Sequence, residues 1–241
     1  AANCDVIEDK QAFSDATARE AFHLPTWPVR HADELEDQLD LFHAHHRDSI
    51  ACVKPRRGVN GHGFWKLTNV SPTAHLMHPE YRDIRSDMFL AALRAREADA
   101  PISPLVLMEY LPGPEVSFDI LAHKGQILKY VARTKYSARQ AIQSPHFLES
   151  EAVVLAARFT LHGLVNLQFR KARDGSWKIL EINARPAGGS IYAEDYGSSL
   201  IADWGGLLTG RLSPDDVHPI KIDIEFEKSS VRRLIERTEA A

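Results

Sequence analysis

Two alternating segments, residues 164–170 and 178–185, contain the side chains best suited to chemistry in this sequence. Between them lies Asp174-Gly175, and an Asp-Gly pair flanked by alternating residues is a strong signal for a β-hairpin. A two-residue turn there predicts that Phe169 faces Leu180 on the apolar side of the hairpin. The opposite side then gathers polar side chains, namely Asn166, Gln168, Glu181, Asn183 and Arg185.

The same turn predicts which polar residues stand opposite each other. Gln168 faces Glu181 and Asn166 faces Asn183, and opposed side chains in a hairpin lie about 5 Å apart at Cβ. Carboxylate and amide oxygens are hard ligands, which suit Mg²⁺ or Mn²⁺ and not zinc or copper. One carboxylate plus two amides leaves the other positions around such an ion to water and a substrate phosphate. Alternation is equally typical of a half-exposed hairpin with a solvated polar face, so both interpretations stand at this point.

A second candidate is a glycine-rich loop that follows a short apolar strand. Residues 49–53 form the predicted strand, Lys54 ends it, and the loop contains Gly58, Gly61 and Gly63. Backbone N–H groups of such a loop can bind phosphate oxygens, with a lysine as counter-charge. The chain lacks the Walker-type sequence G-x-x-x-x-G-K-[ST], and a plain surface loop is the alternative.

A third candidate is the segment Met108-Glu109-Tyr110-Leu111-Pro112-Gly113, which leaves one predicted strand and enters the next at Glu115. Ligands favour clefts between lobes, and the backbone of such a crossing can hydrogen-bond a purine edge. A simple strand–turn–strand connection is the alternative. Along the strand that follows, Glu115, Ser117 and Asp119 share one face.

The spacing of apolar residues predicts the elements that position these candidates. Helices are predicted at residues 9–22, 32–46, 81–98 and 150–162, with a further helix at 231–235. Strands are predicted, besides the hairpin, at residues 49–53, 64–67, 105–110, 115–122 and 126–134. Gly163 stands directly after the helix at 150–162, at a position typical of a helix end.

Composition excludes several classes of protein. The 241 residues are 44% hydrophobic and 26% charged, which is ordinary for a soluble globular protein. A net charge of −4 argues against a nucleic-acid partner, because phosphate binding needs a surplus of cations. Cys4 and Cys52 are the only cysteines, too few for a disulfide framework or a thiolate zinc site. No apolar run approaches the roughly 18 residues that span a bilayer, so we expect a cytoplasmic protein without a membrane partner.

In order and spacing, these parts resemble the ATP-grasp superfamily, and most closely its carbamoyl phosphate synthetase-like branch, which includes carboxylate–amine ligases. The resemblance rests on residues 108–115, on Gln168, and on Leu180-Glu181-Ile182-Asn183-Ala184-Arg185-Pro186. Lys54-Pro55 with its loop and Asp9-Lys10 before a helix fit the same order. The similarity extends over residues 8–210, and the Gln…Glu-x-Asn-x-Arg pattern is its specific part.

The resemblance implies an α+β fold in which two lobes with antiparallel sheets grip the nucleotide between them. It assigns residues 1–109 to a small lobe with the phosphate loop and residues 110–241 to a large lobe with the metal-binding hairpin. Members of this branch usually begin with a further domain of about 100 residues, which we expect to be absent from this chain. A homodimer is a further expectation.

For ATP, the resemblance implies a set of binding residues from both lobes. Lys10 and Lys54 would hold the α- and β-phosphates, and Glu115 would accept hydrogen bonds from the ribose hydroxyls. The loop that closes over the triphosphate contributes Gly58, Gly61, His62 and Gly63. The backbone that contacts adenine belongs to Glu109, Tyr110 and Leu111.

For the metals, the resemblance implies two Mg²⁺ ions, or Mn²⁺ in their place, held by Gln168, Glu181 and Asn183. Glu181 would bridge the two ions. Arg185 would contact the γ-phosphate and, together with Lys54, stabilise the charge that spreads over the transferring group. The expected contacts of the substrate carboxylate and its acyl phosphate are Arg133, Lys135, Gly188 and Gly189.

The chemistry that the resemblance implies is ADP-forming ligation of two small molecules. ATP activates a carboxylate as an acyl phosphate, and an amine attacks that group to form an amide. Two alternatives stay open at this point. One is an ATP-dependent carboxylase or phosphotransferase that stops at the acyl phosphate, and the other is an ATP-binding module or fragment without its own turnover.

Overall fold

The computed structural model, which describes residues 3–58, 61–136 and 139–227, consists of two layered units of helix and sheet. Helices of these residues are α1 (Cys4–Glu8), α2 (Lys10–Thr17), α3 (Ala32–His45), α4 (Ala74–Met77), α5 (Ser86–Asp99), α6 (Glu149–Arg158), α7 (Ile191–Glu194) and α8 (Leu200–Leu208). Strands are β1 (Thr26–Val29), β2 (Ala51–Pro55), β3 (Trp65–Leu67), β4 (Asp83–Ile84), β5 (Leu105–Glu109), β6 (Glu115–His123), β7 (Gln126–Tyr136), β8 (Arg139–Ser144), β9 (Gly163–Lys171), β10 (Trp177–Asn183) and β11 (Ile222–Glu227).

The strands form two sheets. The first has the order β1-β5-β2-β3-β4 and is antiparallel except for the pair β3–β4. The second has the order β10-β9-β6-β7-β8-β11 and is antiparallel throughout. Helices pack on both sheets, which confirms the predicted α+β class.

Helix α3 covers one face of the first sheet. Its apolar side chains Leu35, Leu39 and Phe42 are buried, as their spacing along the helix predicts. They share a core with Val53 of β2 and Leu107 of β5. This core fixes the strand that ends at Lys54 and the strand that leads into the crossing segment.

The core of the second sheet lies under α6. Phe118 of β6 and Leu167 of β9 pack there with Leu155 of α6, all buried. Ile7 and Phe13 of the first two helices belong to this same core. The chain therefore begins against the second sheet before it enters the first, a packing that differs from the division at residue 109. Apart from these helices, the division into lobes of residues 1–109 and 110–241 stays a prediction.

Three predicted helix boundaries are wrong. Helix α2 ends at Thr17, whereas the helix predicted there extends to residue 22. Helix α6 ends at Arg158, and Gly163 begins β9 instead of ending the helix. Gly163 has φ +88° and lies where a Cβ would come within 3.2 Å of the Trp204 ring, so a glycine is needed there for a different reason. Helix α5 begins at Ser86, because residues 83–84 form β4 beside β3.

Strands β8 and β11 and helix α8 lie in segments for which the sequence predicted no element. Strand β8 returns directly after β7, and β11 covers the outer edge of β8. The predicted helix at residues 231–235 lies outside the described residues.

Candidate active site

The hairpin β9–β10 turns over three residues and not over two. The Ala172 N–H donates to the Ser176 carbonyl at 2.7 Å, which leaves Arg173, Asp174 and Gly175 in the loop. Gly175 adopts φ +88°, as three-residue hairpin loops require at their last position. The Asp174 carboxylate accepts a hydrogen bond from the Ser176 N–H at 2.8 Å and stabilises this longer turn.

A β-bulge at Leu180 corrects the register that the longer turn shifts. Phe169 pairs with Ile179 and not with Leu180 as predicted, whereas Gln168 pairs with Glu181. The extra residue in β10 restores the predicted opposition of Gln168 and Glu181 and, one step further, of Asn166 and Asn183. It also brings Leu180 and Glu181 to the same cavity.

A cavity of about 220 Å³ lies between the glycine-rich loop and the hairpin. The first sheet and its loop contribute Lys54, Pro55, Gly58, Gly61, His62 and Phe64, and Lys10 comes from the start of α2. The second sheet contributes Glu115, Gln168, Arg170, Leu180 and Glu181. Cationic side chains, the carboxylates of Glu115 and Glu181, and apolar side chains therefore line one cleft between the two sheets.

A second cavity of about 280 Å³ continues this cleft past Glu181. It shares Lys10, Gly58 and Glu181 with the first cavity. Its other lining residues are Ile7, Glu8, Arg57, Ile182, Asn183, Ala184 and Arg185. The carboxylate of Glu181 thus stands where the two cavities join, with positive charges on both sides.

Helix α2 delivers Lys10 into the cleft. Asp9 caps the helix, because its Oδ1 accepts hydrogen bonds from the N–H groups of Gln11 and Ala12 at 3.1 Å each. The Lys10 N–H donates to the Arg56 carbonyl at 3.0 Å, and the Lys10 ammonium donates to the Gly58 carbonyl at 3.2 Å. The start of α2 is therefore fastened to the base of the glycine-rich loop.

Charges around α2 shift two pKa values. Burial lowers the pKa of Lys10; the negative charge of Glu181 opposes this effect and the positive charge of Lys54 adds to it. For Asp9, burial acts to raise the pKa, but hydrogen bonds from Arg56 and Ala12 outweigh it. The net effect is a lowered pKa for Asp9, whose carboxylate lies 2.8 Å from Arg56 Nε.

The crossing segment, residues 109–111, lies beside the first cavity. The Glu109 carboxylate accepts from the Ser49 hydroxyl at 2.6 Å, and the Tyr110 N–H donates to the Ile50 carbonyl at 2.7 Å. The cations of Lys66 and Arg170 lie 5.3 Å and 5.6 Å from the centre of the Tyr110 ring. Its backbone N–H is therefore used within the first sheet.

Two of the expected substrate cations are ion-paired on the second sheet. Lys135 pairs with Glu115, which also lines the first cavity. Arg133 is buried and pairs with Asp119, its Nε 2.5 Å from a carboxylate oxygen. The third nitrogen of its guanidinium, Nη1, lies beside Gly189, where a Cβ would come within 2.4 Å of it.

The structure thus brings ten of the predicted site residues to the two joined cavities: Lys10, Lys54, Gly58, Gly61, His62, Glu115, Gln168, Glu181, Asn183 and Arg185. Among the described residues, others lie outside the lining of both cavities: Gly63, Glu109, Tyr110, Leu111, Arg133, Lys135, Gly188 and Gly189. Gly63 has φ +70° and packs so closely on Pro55 that a Cβ would meet its ring at 2.8 Å.

Sequence reasoning missed several lining residues. Arg170 stands two positions after Gln168 on the same strand, so the period of a strand could have placed it on the same face. Arg57 directly precedes Gly58, so it could have been predicted to line the site together with the glycine-rich loop. Leu180 gave no signal, because only the bulge turns it toward the cleft.

The oxygen donors on the hairpin fit a hard divalent cation. Gln168 and Asn183 offer amide oxygens and Glu181 a carboxylate, and the Asn183 amide nitrogen donates to Glu181 Oε1 at 3.0 Å. Within the described ranges, no group of three His, Cys, Asp or Glu side chains could hold a metal. A cation here would therefore complete its shell with water and phosphate, as Mg²⁺ does.

None of the helices in the described segments is long and apolar enough to cross a membrane.

Comparison with known proteins identifies the family of the chain. A family model described as "ATP-grasp in the biosynthetic pathway with Ter operon" matches residues 101–229, more than half of the chain. No curated protein matches the sequence.

Solved structures share the fold. N5-carboxyaminoimidazole synthetase from Staphylococcus aureus, complexed with ADP, superposes with a TM-score of 0.57 at 15% identity, over 79% of this chain and 48% of that one. D-alanine–D-alanine ligase from Coxiella burnetii gives 0.57 at 10% identity, over 87% and 59%. The ATP complex of that ligase from Bacillus anthracis gives 0.54 at 14% identity, over 84% and 65%. The chain spans less than two thirds of the length of each of these proteins, with which it shares the ATP-grasp fold.

Proposed function

The chain belongs to the ATP-grasp family of the biosynthetic pathway with Ter operon, and from that premise we propose that it is a MgATP-dependent ligase. It joins a small-molecule carboxylate to an amine with release of ADP and phosphate. One observation carries this proposal. Lys10, Lys54 and Glu181, from three distant parts of the sequence, line one cavity together.

ATP binds along the cleft in this proposal. Leu180 and Phe64 offer apolar contacts to the base, while Glu115 accepts hydrogen bonds from the ribose. The backbone of Glu109, Tyr110 and Leu111 faces adenine after a small rearrangement, since the Tyr110 N–H now bonds to Ile50. The loop at Gly58, Gly61, His62 and Gly63 covers the triphosphate.

Phosphate charge is neutralised by residues from α2 and from both sheets. Lys10 and Lys54 bind the α- and β-phosphates, and Arg185 reaches the γ-phosphate from the end of the hairpin. Gln168, Glu181 and Asn183 would hold Mg²⁺, two ions if Glu181 bridges them. The metal would supply further positive charge, which would stabilise the phosphates and the negative charge that develops on them in the transition state.

The reaction has two steps with balanced atoms. First, a carboxylate oxygen attacks the γ-phosphorus, the bond to the β,γ-bridging oxygen breaks, and ADP leaves. The amine nitrogen then attacks the acyl carbon, phosphate leaves with its electron pair, and the nitrogen loses a proton to form the amide. The protein supplies position and counter-charge, which is the usual source of catalysis in phosphoryl transfer.

The substrate carboxylate is proposed to bind near Gly188 and Gly189, where backbone can approach the acyl phosphate. Arg133 Nη1 lies beside Gly189 and provides the nearest buried guanidinium. Lys135 becomes available if Glu115 turns from it to the ribose.

An ADP-release assay with pooled carboxylates and pooled amines tests the proposal. We expect ADP release that requires MgATP, a carboxylate and an amine together, and that is lost in Arg185→Ala. ATP binding without ADP release under any pool would instead indicate a binding module. Release with a carboxylate alone would indicate a phosphotransferase, and release with bicarbonate alone a carboxylase.

A further inference from the structure

A buried carboxylate lies at the centre of the second sheet, behind the proposed metal residues. Asp119 of β6 is only 3% exposed. It accepts hydrogen bonds from Arg133 Nε at 2.5 Å and Nη2 at 3.3 Å, and from the Ser190 hydroxyl at 2.7 Å. The fourth donor atom is the amide nitrogen of Asn166 on β9, at 3.0 Å. A carboxylate that pairs with a guanidinium accepts hydrogen bonds and does not donate them.

Asn166 can take only one orientation beside this carboxylate. Its side chain is fully buried, and its Nδ2 lies 2.9–3.0 Å from the Ser117 hydroxyl, the Phe118 carbonyl and Asp119 Oδ1. The carbonyl and the carboxylate cannot donate, so an amide turned the other way would set its oxygen against theirs. Asn166 Oδ1 is therefore held on the opposite side, toward Gln168.

The orientation of Asn166 in turn decides that of Gln168. Gln168 Nε2 donates to Asn166 Oδ1 at 3.2 Å. Because Oδ1 can only accept, the amide nitrogen of Gln168 must face Asn166, and its Oε1 is the end left for the cleft. Gln168 lines the first cavity opposite Glu181.

We propose that Asp119 is a positioning residue, which acts through Asn166 to turn the carbonyl oxygen of Gln168 toward the metal. This inference rests on the proposed function, since it assumes a cation at Gln168 and Glu181. A cation needs the oxygen of an amide and is repelled by its NH₂ group. The carboxylate of Asp119 thus helps to fix the orientation of the Asn166 amide through one hydrogen bond, and Asn166 fixes that of Gln168 through a second.

We call the hydrogen-bonded series Asp119, Asn166 and Gln168 the relay. Replacing the acceptor at position 119 by a group that can also donate tests it. In Asp119→Asn the contact with Arg133 Nε keeps the oxygen of the new amide on that side, so its NH₂ group faces the NH₂ group of Asn166. The two donors oppose each other, although the Phe118 carbonyl still accepts from Asn166. Asn166 is then no longer held firmly in one orientation, and neither is the carbonyl oxygen of Gln168. We expect the Mg²⁺ concentration that supports half-maximal ADP binding to rise about 10–100-fold, as for other outer residues of metal sites. Calorimetric titration of Mg²⁺ at fixed ADP measures this without turnover.

A second change should restore the orientation. In Asp119→Asn with Asn166→Asp, the amide at 119 donates to a carboxylate at 166, and that carboxylate again accepts from Gln168 Nε2. The other carboxylate oxygen then faces the Phe118 carbonyl, which lowers stability, so we expect a lower melting temperature together with a partial recovery of Mg²⁺ affinity over Asp119→Asn alone. A purely structural role would not produce this recovery, because two buried substitutions would add their damage.

A third variant tests the relay while the Asp119–Arg133 pair stays intact. Asn166→Leu removes both amide hydrogen bonds, so Gln168 loses its anchor, and the same rise in the required Mg²⁺ is expected. The matched control is Ser190→Ala, which removes one hydrogen bond from Asp119 but leaves the two amides in place. We expect Mg²⁺ affinity within about twofold of wild type for this control.

The outcomes separate the relay from the function on which it rests. Wild type that binds ADP without any Mg²⁺ dependence would contradict the proposed function. Wild type with that dependence, alongside Asp119→Asn and Asn166→Leu variants that melt earlier yet keep wild-type Mg²⁺ affinity, would overturn the relay alone. Since the melting temperature is recorded without metal for each variant, loss of fold and loss of metal affinity are measured separately.

Discussion

Glu181 lies directly opposite Gln168 across the hairpin, although residues nearer the turn pair one position out of step with them. The bulge at Leu180 makes up the difference. As a result, an apolar side chain and a carboxylate that follow each other in sequence line the same cavity. The cleft therefore has a contact surface for a flat base next to its metal residues.

Leu180→Ala should weaken nucleotide binding and leave its Mg²⁺ dependence unchanged. The loss of apolar contact is worth about 1–3 kcal/mol, or roughly 10–100-fold in the dissociation constant. Isothermal titration with ATP at saturating Mg²⁺ measures it. Leu41→Ala, at a leucine that is 62% exposed on α3, is the control and should bind as wild type does. Equal affinities for all three proteins would exclude Leu180 from the base site.

Nucleotide affinity should fall at high pH through Lys10. Its pKa is lowered by burial, so the ammonium loses its proton at a lower pH than an ordinary lysine, whose pKa is about 10.4. Charge that binds phosphate is therefore lost as pH rises, and it is lost at a lower pH than the one at which an ordinary lysine titrates. In Lys10→Met we expect weaker binding with a flatter pH profile, measured by titration with ATP. Parallel profiles in wild type and variant would contradict this assignment.

Gly189→Ala should destabilise the protein by about 1–3 kcal/mol, because the new methyl group overlaps a buried side chain. A Cβ at this position would come within 2.4 Å of Arg133 Nη1, and Asp119 holds the rest of that guanidinium in place. Urea unfolding measures the change.

The matched control for Gly189→Ala is the glycine beside it. A Cβ at Gly188 would meet nothing within 4 Å, so Gly188→Ala should stay within about 0.5 kcal/mol of wild type. Similar stabilities for the two variants would mean that Arg133 can move away from the turn.

Asp9 should stabilise the protein above about pH 4 and not below it. Its folded pKa is lowered from its ordinary value near 3.9. The stabilisation is therefore complete above that unfolded value and is lost as pH falls through the folded pKa. Asp9→Ala removes the helix cap and the Arg56 pair, and should cost about 2 kcal/mol at pH 7.

Asp9→Asn separates the two contributions, since asparagine still caps a helix. We expect it to lose only the partly exposed ion pair, about 1 kcal/mol or less. Urea unfolding from pH 3 to pH 7 should show the difference between wild type and both variants shrinking in acid. A difference that stays constant with pH would assign the effect to packing.

Local signals predicted the metal residues better than the turn that presents them. The alternation around Gln168 and Glu181 and the Asp-Gly pair were enough for a hairpin with the correct opposition of these two residues. A three-residue loop also ends in glycine, so Gly175 cannot distinguish it from a two-residue turn. Nothing in the residues near Leu180 marks a bulge, because its position depends on how the whole hairpin packs.

Long-range packing set the other limits. Ile7 and Phe13 lie in helices that the sequence attaches to the first unit, and only tertiary contacts reveal their core with β6 and β9. Arg133 looked like a free cation on a strand, whereas its partner Asp119 lies 14 residues earlier on the neighbouring strand. Such pairing follows from strand register, which periodicity alone does not determine.

The most direct test of the account is the melting temperature of wild type and Glu181→Gln with and without MgATP. The control is Glu225→Gln, which removes the same charge from an exposed position on β11. Ligand at about 100 times its dissociation constant adds roughly 2.7 kcal/mol of stability. We predict a Mg²⁺-dependent rise in wild type and in Glu225→Gln that largely disappears in Glu181→Gln. An equal rise in all three proteins, or none in wild type, would contradict a metal–nucleotide site at this hairpin.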